Sequence, residues 1–191
     1  MSSTAPLPPR VALIDRENVA EEDRPILDHV ASSRGGRGLA NVFKALANNP
    51  SALEQVAGVG EYLRFKGDLD PDLRELVILT VAQETRCVYE WTHHWRIAER
   101  QGVASKFLEA VGSERIESEL PPLGPALKYA RLVATLQPVE DSTVAQIRES
   151  IGAKGLIELT VLVGYYGLIA RVINTLNVPL EDRVSAQPFL R

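Results

Sequence analysis

The sequence predicts an all-α fold, and three observations carry that reading. No stretch alternates polar and apolar residues cleanly enough to demand a strand. Several stretches repeat at helical spacing, Leu73, Leu76, Val77 and Thr80 among them. Helix-starting and helix-stopping residues stand where those stretches begin and end. Taken in order, residues 1–19 form a Pro-rich arm (Pro6, Pro8, Pro9), expected as a mobile tail or as an arm packed on a neighbour. A helical domain is expected over 20–180 and a short tail over 181–191. A short helix is predicted over 21–31, and the Gly-rich run 32–38 reads as a loop. Residues 41–48 read as a helix with Val42, Phe43 and Leu46 on its apolar side. Pro50 suits the first turn of a helix that reaches Lys66. Asp70 as N-cap and Pro71 at the first helical position start the next helix. A break near Thr85 separates it from an amphipathic helix that stops at Gly102. A short helix follows from Ser105, and Pro121, Pro122 and Pro125 mark a further break. Helices are then expected over 126–136, 142–151 and 153–176, the last split near Gly164.

Composition narrows the function classes. A chain of 191 residues supports one substantial core rather than two large domains. Its net charge of -4 argues against a nucleic-acid module, which is usually basic. A single Cys permits neither an intramolecular disulfide nor a Cys-rich metal cage. The first ten residues lack the apolar core of a signal peptide, and no stretch is expected to reach the length of a membrane span. The expectation is a cytoplasmic protein with neither membrane nor nucleic acid as partner.

The chemistry concentrates between Glu75 and His94. Residues 84–94 hold the only Cys, Cys87, with Glu90, His93 and His94 close behind. If 87–94 is helical, Cys87, Glu90 and His94 fall at i, i+3 and i+7 on one face. An otherwise apolar segment has no packing reason to stack a thiol, an acid and an imidazole. Glu90 and His94, four apart, are expected to pair, the carboxylate orienting the imidazole and favouring its charged form. His94 would then act as general acid or base near neutrality. The bland alternative is a helix-surface ion pair. Cys87 is either a small buried hydrophobe or, in the first turn of a helix beside Arg86, a stabilised thiolate. Glu75 is either a site residue or a structural partner. Three metal ligands do not share one face, and HExxH is absent, so no metal is expected. Arg34 and Arg37, set among glycines, suit a substrate carboxylate, against the alternative of a flexible connector. Tyr89 would line the pocket, and Tyr165 is a candidate substrate contact. Residues 74–81 also resemble 154–161, as a duplicated helical hairpin or by chance. The second copy has Gly155, Gly167 and Ala170 where the first has Glu75, Cys87 and Glu90.

The stretch 73–82, followed by Cys87-Val-Tyr-Glu-Trp-Thr-His-His94, resembles the carboxymuconolactone decarboxylase-like family, which includes the alkyl hydroperoxide reductase D type. The similarity runs from about residue 38 to 177. The resemblance implies an all-helical fold, assembly as a homo-oligomer (dimer, trimer or hexamer) and an active site near subunit contacts. The peroxidase branch carries a Glu, a Cys-x-x-Cys and a His, which map to Glu75, Cys87 and His94. Glu90 stands at the second Cys position. A dithiol peroxidase needs one thiol to attack and another to resolve, so intrachain cycling is impossible here.

These readings lead to a small-molecule enzyme without an organic cofactor. It would act on a carboxylate, lactone or related carbonyl compound by proton transfer, as a decarboxylase, another lyase or an isomerase. His94 and Glu90 would do the proton work, with Cys87, Tyr89 and Glu75 lining or supporting the pocket. The alternatives are a thiol-dependent peroxidase using Cys87, with peroxiredoxin-like activity, and a non-catalytic oligomeric ligand-binding protein.

Overall fold

A computed structural model of the chain describes residues 7–36, 38–111, 113 and 123–189. Arg37, Pro6, Pro121, Pro122 and the last two residues of the expected tail lie outside the described residues. Among the described residues the chain is all-α, with no strand. Short 3-10 turns at Arg16–Asn18 and Glu21–Asp23 precede α1 (Arg24–Ser32). Then come α2 (Asn41–Leu46), α3 (Pro50–Phe65), α4 (Pro71–Glu84) and α5 (Val88–Gln101). They are followed by α6 (Ser105–Ala110), α7 (Gly124–Ala134) and α8 (Asp141–Leu176). The described residues sort into two compact units. One runs to Lys66 and adds Val172–Val184; the other runs from Gly67 to Arg171 and adds the chain from Ser185.

In the first unit, Leu27 and Val30 of α1 pack with Ala47, Leu53 and Ala57, and Ile14, Val19 and Phe43 close over them. Asn49 caps α3 by accepting from the Ala52 amide, and Pro50 sits in the first turn, where its missing N–H costs nothing. The N-terminal arm is not a free tail over its described part. The Arg10 amide donates to the Leu176 carbonyl at 2.8 Å and the Ile14 amide to Lys44 at 3.0 Å.

In the second unit α4 is the central helix. Asp70 accepts from the Asp72 and Leu73 amides and starts it. Residues from Leu73 to Gln83 are buried on nearly every side, because α4 packs against both α5 and α7. Its end explains the break near Thr85. Cys87 N–H donates to the Ala82 carbonyl and Arg86 N–H to Gln83, with Arg86 at φ 53. This is a Schellman stop with arginine in the left-handed position that glycine usually takes. Gly102, at φ 93, ends α5 in the same way, donating to Glu99 while Val103 donates to Ala98.

The C-terminal helix is broken at Gly152 (φ 71, ψ 175), a conformation open essentially to glycine alone, which is the boundary expected between 142–151 and 153–176. It departs from expectation in running through Gly164 without a split. The second copy of the repeat is therefore part of one unbroken helix, whereas the first copy turns back at Thr85–Cys87, so no hairpin is duplicated. What the copies share is local: Thr80 and Thr160 each donate back one turn, to Leu76 and Leu156. Finally, α8 is long and apolar enough by length and composition to cross a membrane, which corrects the expectation that no stretch reaches that length. More than half of that apolar window is buried inside the fold, the placement of a core helix.

Candidate active site

Glu75 lies in the second turn of α4, with its side chain fully buried. His94 lies midway along α5, on its buried face with Tyr89, Glu90, Trp91 and Trp95. Packing of α4 against α5 brings them together. His94 Nδ1 sits 2.7 Å from Glu75 Oε2, across 19 positions of sequence. An ionised Glu75 can only accept, so that with Glu75 ionised Nδ1 carries the hydrogen and Nε2 is the nitrogen left for proton exchange. Arg74 Nε, 3.5 Å from Glu75 Oε1, adds positive charge on the other side of the carboxylate. The ring of Tyr166, from α8, meets the imidazole edge-on at 5.0 Å. Tyr165 in turn packs edge-on to Tyr166 at 5.2 Å.

The expected Glu90–His94 pair is not made. Both carboxyl oxygens of Glu90 are buried without a hydrogen-bond partner, and the residue is only 3% exposed. Burial pushes its carboxyl well above the usual carboxylate range, opposed only by the neighbouring Cys87 thiol. Burial thus favours the protonated, neutral form of Glu90. The thiolate reading of Cys87 is corrected as well. Cys87 is fully buried at the N-cap of α5, while Arg86 turns outward, exposed. Burial first, and then the carboxyl of Glu90, push the thiol above its usual range; backbone N–H groups of Glu90 and Tyr89 oppose this without prevailing.

The remaining predicted residues are placed as follows. Tyr89 is buried, with its ring 4.6 Å from His93. Arg34 belongs to the first unit and is consumed there: it donates to the Ala57 carbonyl at 2.8 Å, and its guanidinium lies over the Phe43 ring at 4.5 Å. A fork so engaged does not present itself to a carboxylate. Arg37 lies outside the described residues. Tyr166 is the site residue that sequence reading passed over in favour of Tyr165, since neighbouring aromatics on a helix differ only by its rotation. The tail is also more than an appendage. Trp91 Nε1 donates to the Pro188 carbonyl at 3.1 Å, the Gln187 amide to Thr92 Oγ1 at 2.9 Å, and Arg96 to the Ser185 carbonyl at 2.8 Å. Among the described residues no three His, Cys, Asp or Glu side chains gather as a metal cage.

Known proteins match this architecture. The family model for the carboxymuconolactone decarboxylase family matches residues 50–135, which contain α4, α5 and both members of the Glu75–His94 pair. The uncharacterized protein YnjA of Escherichia coli (strain K12) is 29% identical over 126 residues, 64% of this chain and 69% of its own length. The fold is similar to that of an alkylhydroperoxidase AhpD core, an uncharacterized peroxidase-related protein from Ralstonia eutropha JMP134. The TM-score is 0.76 at 20% identity, over 91% of this chain and 93% of that one. It is also similar to the debrominase Bmp8, solved as a C82A variant with 2,3,4-tribromopyrrole. There the TM-score is 0.72 at 14% identity, over 92% of this chain and 95% of that one.

Proposed function

We propose that this chain, which fits the carboxymuconolactone decarboxylase/AhpD-like superfamily, is a cofactor-independent proton-transfer enzyme. Its substrate is a small carbonyl compound, such as a lactone or keto acid, and its reaction class is that of a lyase or isomerase. The observation that carries this reading is the buried His94–Glu75 hydrogen bond. Glu75 holds the imidazole in one tautomer and stabilises the imidazolium that forms when Nε2 takes a proton. In an isomerisation, Nε2 removes a proton from the carbon beside the carbonyl, the electron pair forms the enolate, and the proton returns at another carbon. In a decarboxylation, the bond to the leaving carbon dioxide breaks, its electron pair passes to the carbonyl, and protonated His94 delivers the proton to carbon.

The same geometry weighs against a thiol peroxidase. A peroxide is attacked by thiolate, and Cys87 is buried with its thiol held protonated. The test is proton exchange into a panel of lactones and keto acids in deuterium oxide, followed by NMR. Wild type exchanges the protons beside the carbonyl, His94→Gln does not, and Cys87→Ala largely keeps the activity. Rapid peroxide consumption with an added thiol, lost in Cys87→Ala, would transfer the assignment to the redox class. Saturable binding without exchange or turnover would make the chain a ligand-binding protein.

A further inference from the structure

Glu90 is the group that the His94–Glu75 pair does not use. It lies one turn before His94 on the buried face of α5, and neither carboxyl oxygen finds a partner. The other buried acids of this unit are answered: Glu75 by His94 and Arg74, Glu158 by the Asp68 amide. A buried carboxyl without donors keeps its proton, and a protonated carboxyl has an O–H to donate. The Cys87 thiol beside it is a weak donor, and burial favours its neutral form too. A neutral donor for which no ion pair is made among the described residues suits an oxygen that becomes negative only during reaction. A permanently charged carboxylate or phosphate would instead require arginine or lysine.

We propose that Glu90 is the site's oxyanion donor: its carboxyl O–H binds the carbonyl oxygen of an enolisable ketone, keto acid or lactone as that oxygen takes up negative charge. The inference rests on the reading of His94 as the proton-transfer residue. When His94 Nε2 removes a proton from the neighbouring carbon, the C–H pair becomes the enolate π bond, the carbonyl π pair moves onto oxygen, and the Glu90 O–H holds that oxygen. When the proton returns, the charge collapses back and Glu90 is unchanged. The specificity that follows is for the carbonyl rather than for any carboxylate the substrate carries.

The probes are substituted phenols of graded acidity, whose phenolates stand in for the enolate. Glu90→Met removes the donor, and Glu90→Gln keeps a weaker one in its amide. Binding should weaken by roughly tenfold to a hundredfold in Glu90→Met and much less in Glu90→Gln. Infrared difference spectra of wild type near neutral pH should show the carbonyl stretch of a protonated carboxyl, absent from both variants and shifted when a phenol binds. Equal phenol affinity in wild type and Glu90→Met, or an ionised carboxyl in the wild-type spectrum, overturns the proposal. If Glu90→Met does not fold, the wild-type and Glu90→Gln spectra decide alone. Proton exchange by His94→Gln is measured separately: an active His94→Gln enzyme removes the proton-transfer reading, while the carboxyl stretch and phenol affinities still report on Glu90.

Discussion

Glu90 and Glu158 are each 3% exposed, yet the protein treats them in opposite ways. Glu158, on α8, accepts from the Asp68 amide at 3.1 Å and more loosely from Leu69 at 3.5 Å, and so ties down the loop that leads into α4. Gly67 lies directly against its carboxylate, where a Cβ would collide with Oε1. Neither oxygen of Glu90 has a hydrogen-bond partner by distance and angle, and only the weakly donating Cys87 thiol adjoins it among the groups that shift its carboxyl. Burial of an acid is therefore no mark of a site in itself, because backbone amides readily satisfy one. The mark is burial without satisfaction, which weakens the fold and has no structural return.

The largest expected effect places the chemistry on the Glu90 side of this comparison. His94→Gln keeps an N–H for Glu75 but loses the titrating nitrogen, so turnover should fall by about 10²–10⁴-fold while the melting temperature stays near wild type. A variant that melts normally and retains full activity breaks the assignment.

Next comes the pH dependence of Glu90. In the fold burial raises the carboxyl's pKa, so it holds its proton to higher pH than the unfolded chain, which releases it above about pH 4.5. The unfolded state then binds fewer protons, so stability falls as pH rises from that point. Glu90→Met lacks this slope. Its advantage over wild type should grow by up to about 1.4 kcal/mol per pH unit above pH 4.5, read from denaturant melts between pH 4.5 and 7.5. Parallel stability curves would show that Glu90 ionises freely in the fold.

Glu158→Ala should behave in the reverse sense. Removing the acceptor leaves loop amides without a partner and costs about 1–3 kcal/mol, with activity per folded molecule unchanged. The smallest effect sharpens the role of burial. Asp70 also accepts from a pair of backbone amides, but at an exposed helix start, so Asp70→Ala should cost about 1 kcal/mol. Chemical denaturation of both variants side by side checks the order, and a costlier Asp70→Ala contradicts it.

Local rules made much of the helical framework legible. Asp70-Pro71, Asn49-Pro50 and Gly102 mark their helix ends by capping, fixed φ and left-handed backbone, all encoded within a few residues. Other stops were less plain, since Arg86 and Leu136 take the left-handed conformation at φ 53 and 57 without glycine. There the packing of successive helices outweighs a conformational preference of about 1–2 kcal/mol.

The sequence by itself determined the helix class and placed Glu90 and His94 on one side of a single helix, because periodicity along a helix is a local property; Cys87, expected on the same stripe, is the non-helical N-cap of that helix. Only the tertiary structure decided which groups meet. It set Glu75 rather than Glu90 on the imidazole, put Tyr166 rather than Tyr165 against it, and left Glu90 without a partner. Those outcomes depend on how one helix is rotated and shifted against another, which no spacing within either helix specifies.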